Sequence, residues 1–317
     1  MPIIGRTPMT VAFTDGSSPA DEITYWLWDF GDGTTYEGQT PPAHPYDTDG
    51  IYTVTLSVAS AKGIDTFSDT VTALVVSPPV AYLKMDEVNG TRVATAGPDL
   101  LETGGAVASA AGKFGLAALG VSEASTAGLY APITLAASGG FTLAIWFYWP
   151  AWSSNDAKSM LALDCGTGSG ALVSPFCAVT RFYGSDFLHV LFAWGGGGSE
   201  NVELPLPRLG PFDEDAWHLL VLTYDVATGL FTGAVDQGCL EDAVDWTGVP
   251  LPAYKLSVTV APAELANANA ATFTDLRMIL AWTTDVSFEG RIDALRIWDS
   301  ALSAAEISWI WNGGAGN

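Results

Sequence analysis

Residues 28–33 read Trp-Asp-Phe-Gly-Asp-Gly, and this hexapeptide decides the fold of the first part of the chain. Its Asp-Gly dipeptide, Asp32-Gly33, tolerates the positive φ that a tight turn requires. Asp29 can accept hydrogen bonds from backbone amides across the turn, and the tryptophan and phenylalanine offer bulk for a core. We therefore expect this pair of aspartates to shape a loop and not to act in catalysis.

Strand-like runs flank the hexapeptide on both sides. Residues 23–28 read ITYWLW before it, and residues 50–58 read GIYTVTLSV after it. In the second run every other residue is apolar, which is the period of two expected for a strand with one buried face. The apolar face would carry Tyr52, Val54, Leu56 and Val58.

The hexapeptide, the His-x-Tyr block at residues 44–46 and the strand at residues 50–58 together resemble the PKD (polycystic kidney disease repeat) family. The resemblance spans nearly residues 7–77 and implies an Ig-like β-sandwich. The segment before the first strand is shorter than is usual in the family. We therefore expect the first edge strand to be missing or to be supplied by a neighbour.

A proline pair, Pro78-Pro79, follows the first module and would stop any β-ladder from continuing. This pair predicts a domain boundary, with an Ig-like domain at residues 1–77 and a second domain at residues 78–317. A length of 317 residues is also typical of two domains. Strands dominate both parts, so the predicted fold class is all-β.

The second part alternates in the same way. Residues 141–148 and 217–225 read as central strands of a sheet, because they are rich in aromatic and β-branched residues. Ser303 and Glu306 have the spacing of a capping box, which predicts a short helix that directs Ile307 and Ile310 inward. Gln237 stands between Asp236 and Gly238, where an Asp-Gly turn would end the strand, and this insertion predicts a bulged hairpin.

Several blocks of this part are similar to the laminin-G-like (concanavalin-A-like) jelly-roll superfamily. They are VAYLKMDE at residues 80–87, GKFG at 112–115, FTLAIWFY at 141–148, WHLLVLTYD at 217–225, and GRIDALRIW at 290–298. The similarity covers residues 80–312 and is weaker between about residues 150 and 210. It implies a second β-sandwich, of the jelly-roll type.

The jelly-roll resemblance implies a structural Ca²⁺ ion, held by Asp86, Glu87 and Asp293. Oxygen ligands suit this hard cation, and backbone carbonyls of glycine-rich turns would complete its shell. The alternative is that Asp293 accepts hydrogen bonds from loop amides.

Ligand binding is also implied by the resemblance, and the aromatic residues Tyr148, Trp149 and Trp152 could stack on the faces of sugars at a loop edge. The alternative is ordinary packing, since most of the 12 tryptophans must lie in a core.

Charge and composition exclude several classes of partner. The formal net charge of -23 repels nucleic acid at long range. No apolar run approaches the roughly 20 residues that span a bilayer, so we expect no membrane insertion. Three cysteines give no zinc motif or disulfide framework, which leaves a Cys165–Cys177 bridge or buried free thiols as alternatives.

No arrangement of residues typical of an enzyme is present in the sequence. His44, His189 and His218 belong to no nucleophile or metalloprotease motif. Glycosidases on a jelly roll need carboxylates paired along one strand, typically as E-x-D-x-x-E, and this pattern is absent. The dense acidic cluster at residues 213–215 reads as a solvated loop. We expect a non-enzymatic protein.

These features predict a structural or adhesion protein on a virion surface, such as a capsid decoration, head-fibre or tail-associated protein of a phage. The basis is that both modules are of surface types while the N-terminus lacks a secretion signal. The PKD domain would bind other virion or surface proteins, and the jelly roll would contact host glycans. The alternative is a secreted bacterial carbohydrate-binding or cell-adhesion module. A homo-oligomer is compatible with either.

Overall fold

The computed structural model describes residues 3–120, 128–148, 158–164, 176–181, 187–195, 198–205, 216–235, 257–278 and 290–310. Strands make up most of these residues, so the all-β prediction is confirmed. Two compact units are present, one formed by residues 1–77 with 303–317 and the other by residues 78–302. Cys165, the acidic cluster at 213–215 and the bulge at Gln237 lie outside the described residues.

The described part of the first unit contains seven strands: β1 (Ile3–Arg6), β2 (Met9–Val11), β3 (Ile23–Asp29), β4 (Thr35–Glu37), β5 (His44–Tyr46), β6 (Gly50–Ser60) and β7 (Gly63–Leu74). Five of them make one sheet in the order β1-β7-β6-β3-β4, and β2 pairs with β5 in a second sheet. The first edge strand is present after all, because four residues suffice for β1 to pair in parallel with β7.

The predicted turn holds the core of this unit together. Trp28 and Phe30 are buried, and the Gly31 amide donates to Asp29 Oδ1 over 2.9 Å, as expected. The buried Tyr46 hydroxyl donates to the Phe30 carbonyl over 3.0 Å. His44 stacks on the Phe30 ring, with a centroid separation of 4.0 Å. The histidine and the aspartates of this block thus have structural partners.

The second unit contains sixteen described strands and one short helix. They are β8 (Ala81–Leu83), β9 (Ala94–Ala96), β10 (Leu101–Thr103), β11 (Ser109–Ala111), β12 (Leu116–Gly120), β13 (Gly128–Ala136), β14 (Phe141–Tyr148), β15 (Lys158–Asp164), β16 (Phe176–Arg181), β17 (Phe187–Gly195), β18 (Gly198–Pro205), β19 (Trp217–Asp225), β20 (Leu230–Val235), β21 (Ser257–Thr259), α1 (Leu265–Asn269), β22 (Thr272–Met278) and β23 (Gly290–Trp298). The helix α1 was not predicted from the sequence.

Two sheets enclose the core of the second unit. One has the order β10-β13-β22-β15-β16-β17-β18, and the other runs β11-β12-β23-β14-β19-β20-β21, with β8 paired to β23 and β9 paired to β8. Phe141 of one sheet contacts Phe192 and Phe273 of the other, with ring centroids 5.9 and 5.7 Å apart. The predicted central strands, β14 and β19, pair along their whole length.

Strand β23 changes partners halfway along one edge. Its first residues pair with β12, its last residues pair with β8, and β14 pairs with its other edge throughout. Ala294 lies at this change with a φ of 48°, and the register with β14 shifts there. The left-handed residue forms a bulge that bends β23 between its two partners.

The C-terminal helix α2 (Ala304–Trp309) packs against β1 and β7. These contacts group residues 303–317 with the first unit, whereas the sequence assigned them to the second domain. The predicted capping box is present, because Ser303 N donates to Glu306 Oε2 over 2.7 Å and Glu306 N donates to Ser303 Oγ over 3.3 Å. Ile310 is buried and Ile307 is half-buried.

Cys177 is a buried free thiol of β16. Burial raises the pKa of this thiol to about 12, because the thiolate would lose its hydration. The side chain therefore packs as a small apolar group.

Two glycines of the turn allow a matched test of its geometry. A Cβ on Gly31, which has a φ of 78°, would lie 2.6 Å from the Thr53 carbonyl oxygen, whereas Gly33, with a φ of 90°, has no atom within 4 Å of that position. We expect Gly33→Ala to cost about 1 kcal/mol and Gly31→Ala about 3 kcal/mol or more, because only the second adds a collision. Hydrogen-exchange protection of the β3 and β6 amides measures both; equal losses would contradict the turn geometry.

Candidate functional site

The turn at residues 112–115 brings two of the predicted acidic ligands together. Phe114 N donates to Asp293 Oδ2 over 2.8 Å, and Leu116 N donates to Asp86 Oδ1 over 3.1 Å. Gly115 has a φ of 84°, and a Cβ there would lie 2.3 Å from Asp86 Oδ1. The turn needs glycine at this position because the carboxylate occupies the space of a side chain.

Backbone strain on both sides orients these carboxylates. Met85, which is fully buried, has a φ of 61°, and Ala294 has a φ of 48°. Each lies directly beside one of the two aspartates in the sequence. Non-glycine residues adopt this region at a cost and do so mostly at functional sites, where surrounding packing enforces it.

The third predicted ligand is bound differently. Glu87 Oε1 accepts a hydrogen bond from Val93 N over 2.8 Å. The negative charge of this carboxylate also stabilises the positive charge of the Arg92 guanidinium. Arg92 is fully buried and donates to the carbonyls of Gly90 and Val107 over 2.7 and 2.6 Å. Glu87 thus belongs to a network that holds the loop around Arg92. Within the described ranges no group of three or more acidic, histidine or cysteine side chains could hold a metal ion.

Asp293 is an unusual carboxylate, because it has no exposed surface and its Oδ1 has no hydrogen-bond partner within the described part of the chain. Burial raises the pKa of Asp293 to about 7, and the charge of Asp86 acts in the same direction. Hydrogen bonds from the amides of Phe114, Ala294 and Lys113 lower the pKa by less. A buried carboxylate in this condition is either protonated or stabilised by a cation.

The predicted sugar-stacking residue Tyr148 lies in a cluster of aromatic rings and cations on the outer face of β14. The Arg291 guanidinium lies 4.5 Å from the Tyr148 ring, and the Trp217 ring lies 5.7 Å away. Lys113 lies 4.3 Å from the Trp146 ring. We call these five residues the cation–aromatic patch. Trp149 and Trp152 lie outside the described residues.

The sequence indicated Tyr148 but not its partners. Arg291 stands directly opposite Tyr148 in the ladder between β14 and β23, and Trp217 stands opposite it in the ladder to β19. These pairings depend on register, which a single strand pattern does not contain. The alternation of side chains along β14 places Trp146 and Tyr148 on one face, and this part of the site is predictable from the sequence.

The histidines contribute no catalytic arrangement to the described part of the molecule. His218 packs against the Phe147 ring with centroids 5.5 Å apart, and His189 lies within the β16–β17 ladder. His44 contacts Asp32 Oδ2 over 2.7 Å in the turn of the first unit. Among the described residues, no helix is long and apolar enough to cross a membrane.

Comparison with known proteins identifies the first unit. Residues 4–75 match the PKD domain family. This PKD unit is 40% identical over 62 residues to a microbial collagenase of Vibrio alginolyticus, a match that covers 19% of the chain and 8% of the collagenase. It is 43% identical over 58 residues to collagenase ColQ1 of Bacillus cereus (strain Q1), covering 18% and 6%. The chain therefore spans only a small part of these relatives.

Solved structures are similar over most of the chain. The receptor-binding domain of botulinum neurotoxin type G matches with a TM-score of 0.51 and 14% identity, over 74% of this chain and 51% of that one. The binding domain of the serotype D/C neurotoxin matches with a TM-score of 0.50 and 10% identity, over 74% and 52%. At this identity the similarity shows the fold alone. It supports the predicted jelly-roll fold, without a specific laminin-G or concanavalin-A assignment.

The raised pKa of Asp293 predicts how stability depends on pH. Between the ordinary aspartate pKa of about 3.9 and the folded value of about 7, the folded state holds a proton that the unfolded state has lost. In EGTA, this group alone makes the free energy of unfolding decrease as the pH rises through that window. We expect Asp293→Asn to remove the decrease, measured as the difference in Tm between wild type and variant at pH 5 and pH 8. A difference that does not vary with pH would contradict the raised pKa.

Proposed function

We propose that the chain is a non-catalytic adhesion module whose second unit binds negatively charged glycans at the cation–aromatic patch. The observation that carries this proposal is the concentration of cations there. Only 12 lysines and arginines face 35 acidic residues in the sequence, yet Lys113 and Arg291 both lie over aromatic rings of one sheet face. Such cations attract an anionic ligand that the rest of the surface repels.

The geometry favours an anionic sugar over a neutral one. Neutral sugars stack on open aromatic faces, but Arg291 already covers one face of Tyr148 and Lys113 lies over Trp146. Lys113 is exposed, and Arg291, Tyr148 and Trp217 are half-buried, so the patch offers N–H donors above an apolar base. A sugar carboxylate would bind these donors by charge-assisted hydrogen bonds.

A matched set of variants tests the glycan site. We expect the full chain to bind 3′-sialyllactose and not lactose, and Lys113→Met and Arg291→Met each to weaken binding about tenfold, since each removes one charge and keeps its apolar stem. Lys84→Met is the control, because Lys84 also lies over a ring, that of Tyr82 at 5.7 Å, outside the patch. Titration by NMR or calorimetry gives the Kd. Equal binding of lactose, or equal loss in the control, would refute the site.

We also propose that Asp86 and Asp293 bind a structural Ca²⁺ ion. The support is the orphaned, buried Asp293 Oδ1 beside a second carboxylate, a donor set that suits a hard cation. When bound, the ion would neutralise both charges, and backbone carbonyls would have to complete its shell. Glu87 is not included, because its carboxylate belongs to the network around the buried Arg92.

The calcium proposal predicts a stability difference. We expect 1 mM CaCl₂, about a hundredfold above an assumed Kd of about 10 µM, to raise the Tm of the second unit relative to EGTA by several degrees. Asp86→Asn should abolish the shift, while Asp65→Asn, an exposed acidic residue of the PKD unit, should keep it. A Tm that is the same in calcium and in EGTA rejects the ion.

A phage virion is our preferred biological setting, with a secreted bacterial adhesion module as the alternative. The PKD match and the binding-domain fold support a surface role in both cases, and partners on the virion remain part of the proposal. Mass spectrometry of purified particles separates the two settings: peptides of this chain in the particle support the first, and their presence only in the culture supernatant supports the second.

A further inference from the structure

The inner face of the PKD sheet is covered along only half of β7. Along this face Val71 and Ala73 are each 1% exposed, but Phe67, which precedes Val71 by four residues, is 69% exposed. Phe67 stands directly opposite Leu56 in the β6–β7 ladder, so it belongs to the face that carries the core. The second sheet, with only three residues in each of β2 and β5, does not reach this end.

A groove of about 740 Å³ lies over the uncovered end. Its lining includes Phe13, Glu22, Leu56 of β6, and Asp65, Phe67 and Asp69 of β7. We call these six residues the PKD groove. Its volume is within the range of about 300–1,000 Å³ that is usual for binding sites.

Acidic side chains distinguish this groove from an apolar sheet face that merely lacks a covering strand. Asp65 and Asp69 stand opposite Val58 and Val54 in the ladder, and therefore on the inner face on either side of Phe67. Both are exposed, and each accepts a hydrogen bond from the next backbone amide. Covering Asp65 with another apolar strand would remove its charge from water, which is costly unless the cover brings opposite charge.

We propose that the PKD groove binds an extended protein segment in which apolar and basic side chains alternate. Apolar side chains of the segment would contact Leu56, Phe13 and Phe67. One of its Lys or Arg residues would pair with Asp65, and the next basic position would lie beside Asp69. The period of two in the segment matches the period of Asp65, Phe67 and Asp69 along β7.

A second copy of this chain fits the groove less well. The formal net charge of -23 on each copy opposes self-association. Lys62, the basic residue that lines the groove, is already paired with Glu22. A cationic partner is favoured, because the negative field that repels a second copy attracts it.

The probe for the test is the capped peptide Ac-GKFKLKVG-NH₂, with Ac-GEFELEVG-NH₂ and Ac-GKSKSKSG-NH₂ as controls for charge and for apolar content. Binding to the full chain is measured by calorimetry, at low salt and again at about 0.5 M salt, where exposed charge pairs are screened. We expect saturable binding of the first peptide alone, weakened by salt.

Variants of the groove then locate the site. Asp65→Lys with Asp69→Lys, and separately Phe67→Ser, should each weaken binding about tenfold or more, because they reverse the charge or remove the exposed ring. The matched controls are Asp47→Lys with Asp49→Lys, which make the same charge change outside the groove, and Ile51→Ser, which removes an apolar side chain that is 73% exposed on the opposite face. Both controls should bind as the wild type does.

Several results would overturn the proposal. They are equal binding of the acidic peptide, equal loss in groove and control variants, no binding of the first peptide, and a dimer in light scattering that Phe67→Ser dissociates. The last result would assign the groove to a second copy. None of these outcomes bears on the glycan site, since the PKD groove and the cation–aromatic patch share no residue.

Discussion

The second unit depends on the bulge at Ala294, where β23 exchanges one partner strand for another. Pairing with β12 before the bulge and with β8 after it joins three strands that are far apart in the sequence. The same bend sets Asp293 against the turn at residues 112–115 and leaves its Oδ1 buried. Arg291 stands opposite Tyr148 on the same strand, so one member of the carboxylate pair, Asp293, and one member of the cation–aromatic patch, Arg291, lie two residues apart. Bulges and strained residues often occur next to functional sites in β-proteins, where they redirect side chains.

In the PKD unit the corresponding constraint is the small size of the second sheet. The hexapeptide turn and its aromatic partners bury Trp28, Phe30 and Tyr46 at one end, where β2 and β5 cover the larger sheet. At the other end nothing from these two strands covers the inner face of β7, so the alternation that builds the core continues into an exposed surface. Stability and the capacity to bind a partner are therefore separated along a single strand, with Val71 on one side of the division and Phe67 on the other.

Local patterns in the sequence were sufficient for the turn, the strand faces, the central strands β14 and β19, and the capping box of α2. Each of these depends on residues that are close in the sequence or on a period of two. The sequence did not show that β1 completes the first sheet or that α2 packs with the first unit, because these facts depend on contacts between distant segments. Arg291 was missed as a partner of Tyr148 for the same reason, since register across strands is a property of the folded sheet.

We propose two separate binding surfaces, one in each unit, and hydrogen exchange of the full chain with each ligand tests both directly. With 3′-sialyllactose we expect slower exchange at the ends of β14, β19 and β23 that carry the cation–aromatic patch, and no change in β6 and β7. With the basic–apolar peptide we expect the reverse, with protection confined to residues 56–70 and to the segments that contain Phe13 and Glu22. Two results would contradict the two proposed sites: protection of the same segment by both ligands, or no protection of either surface by its ligand.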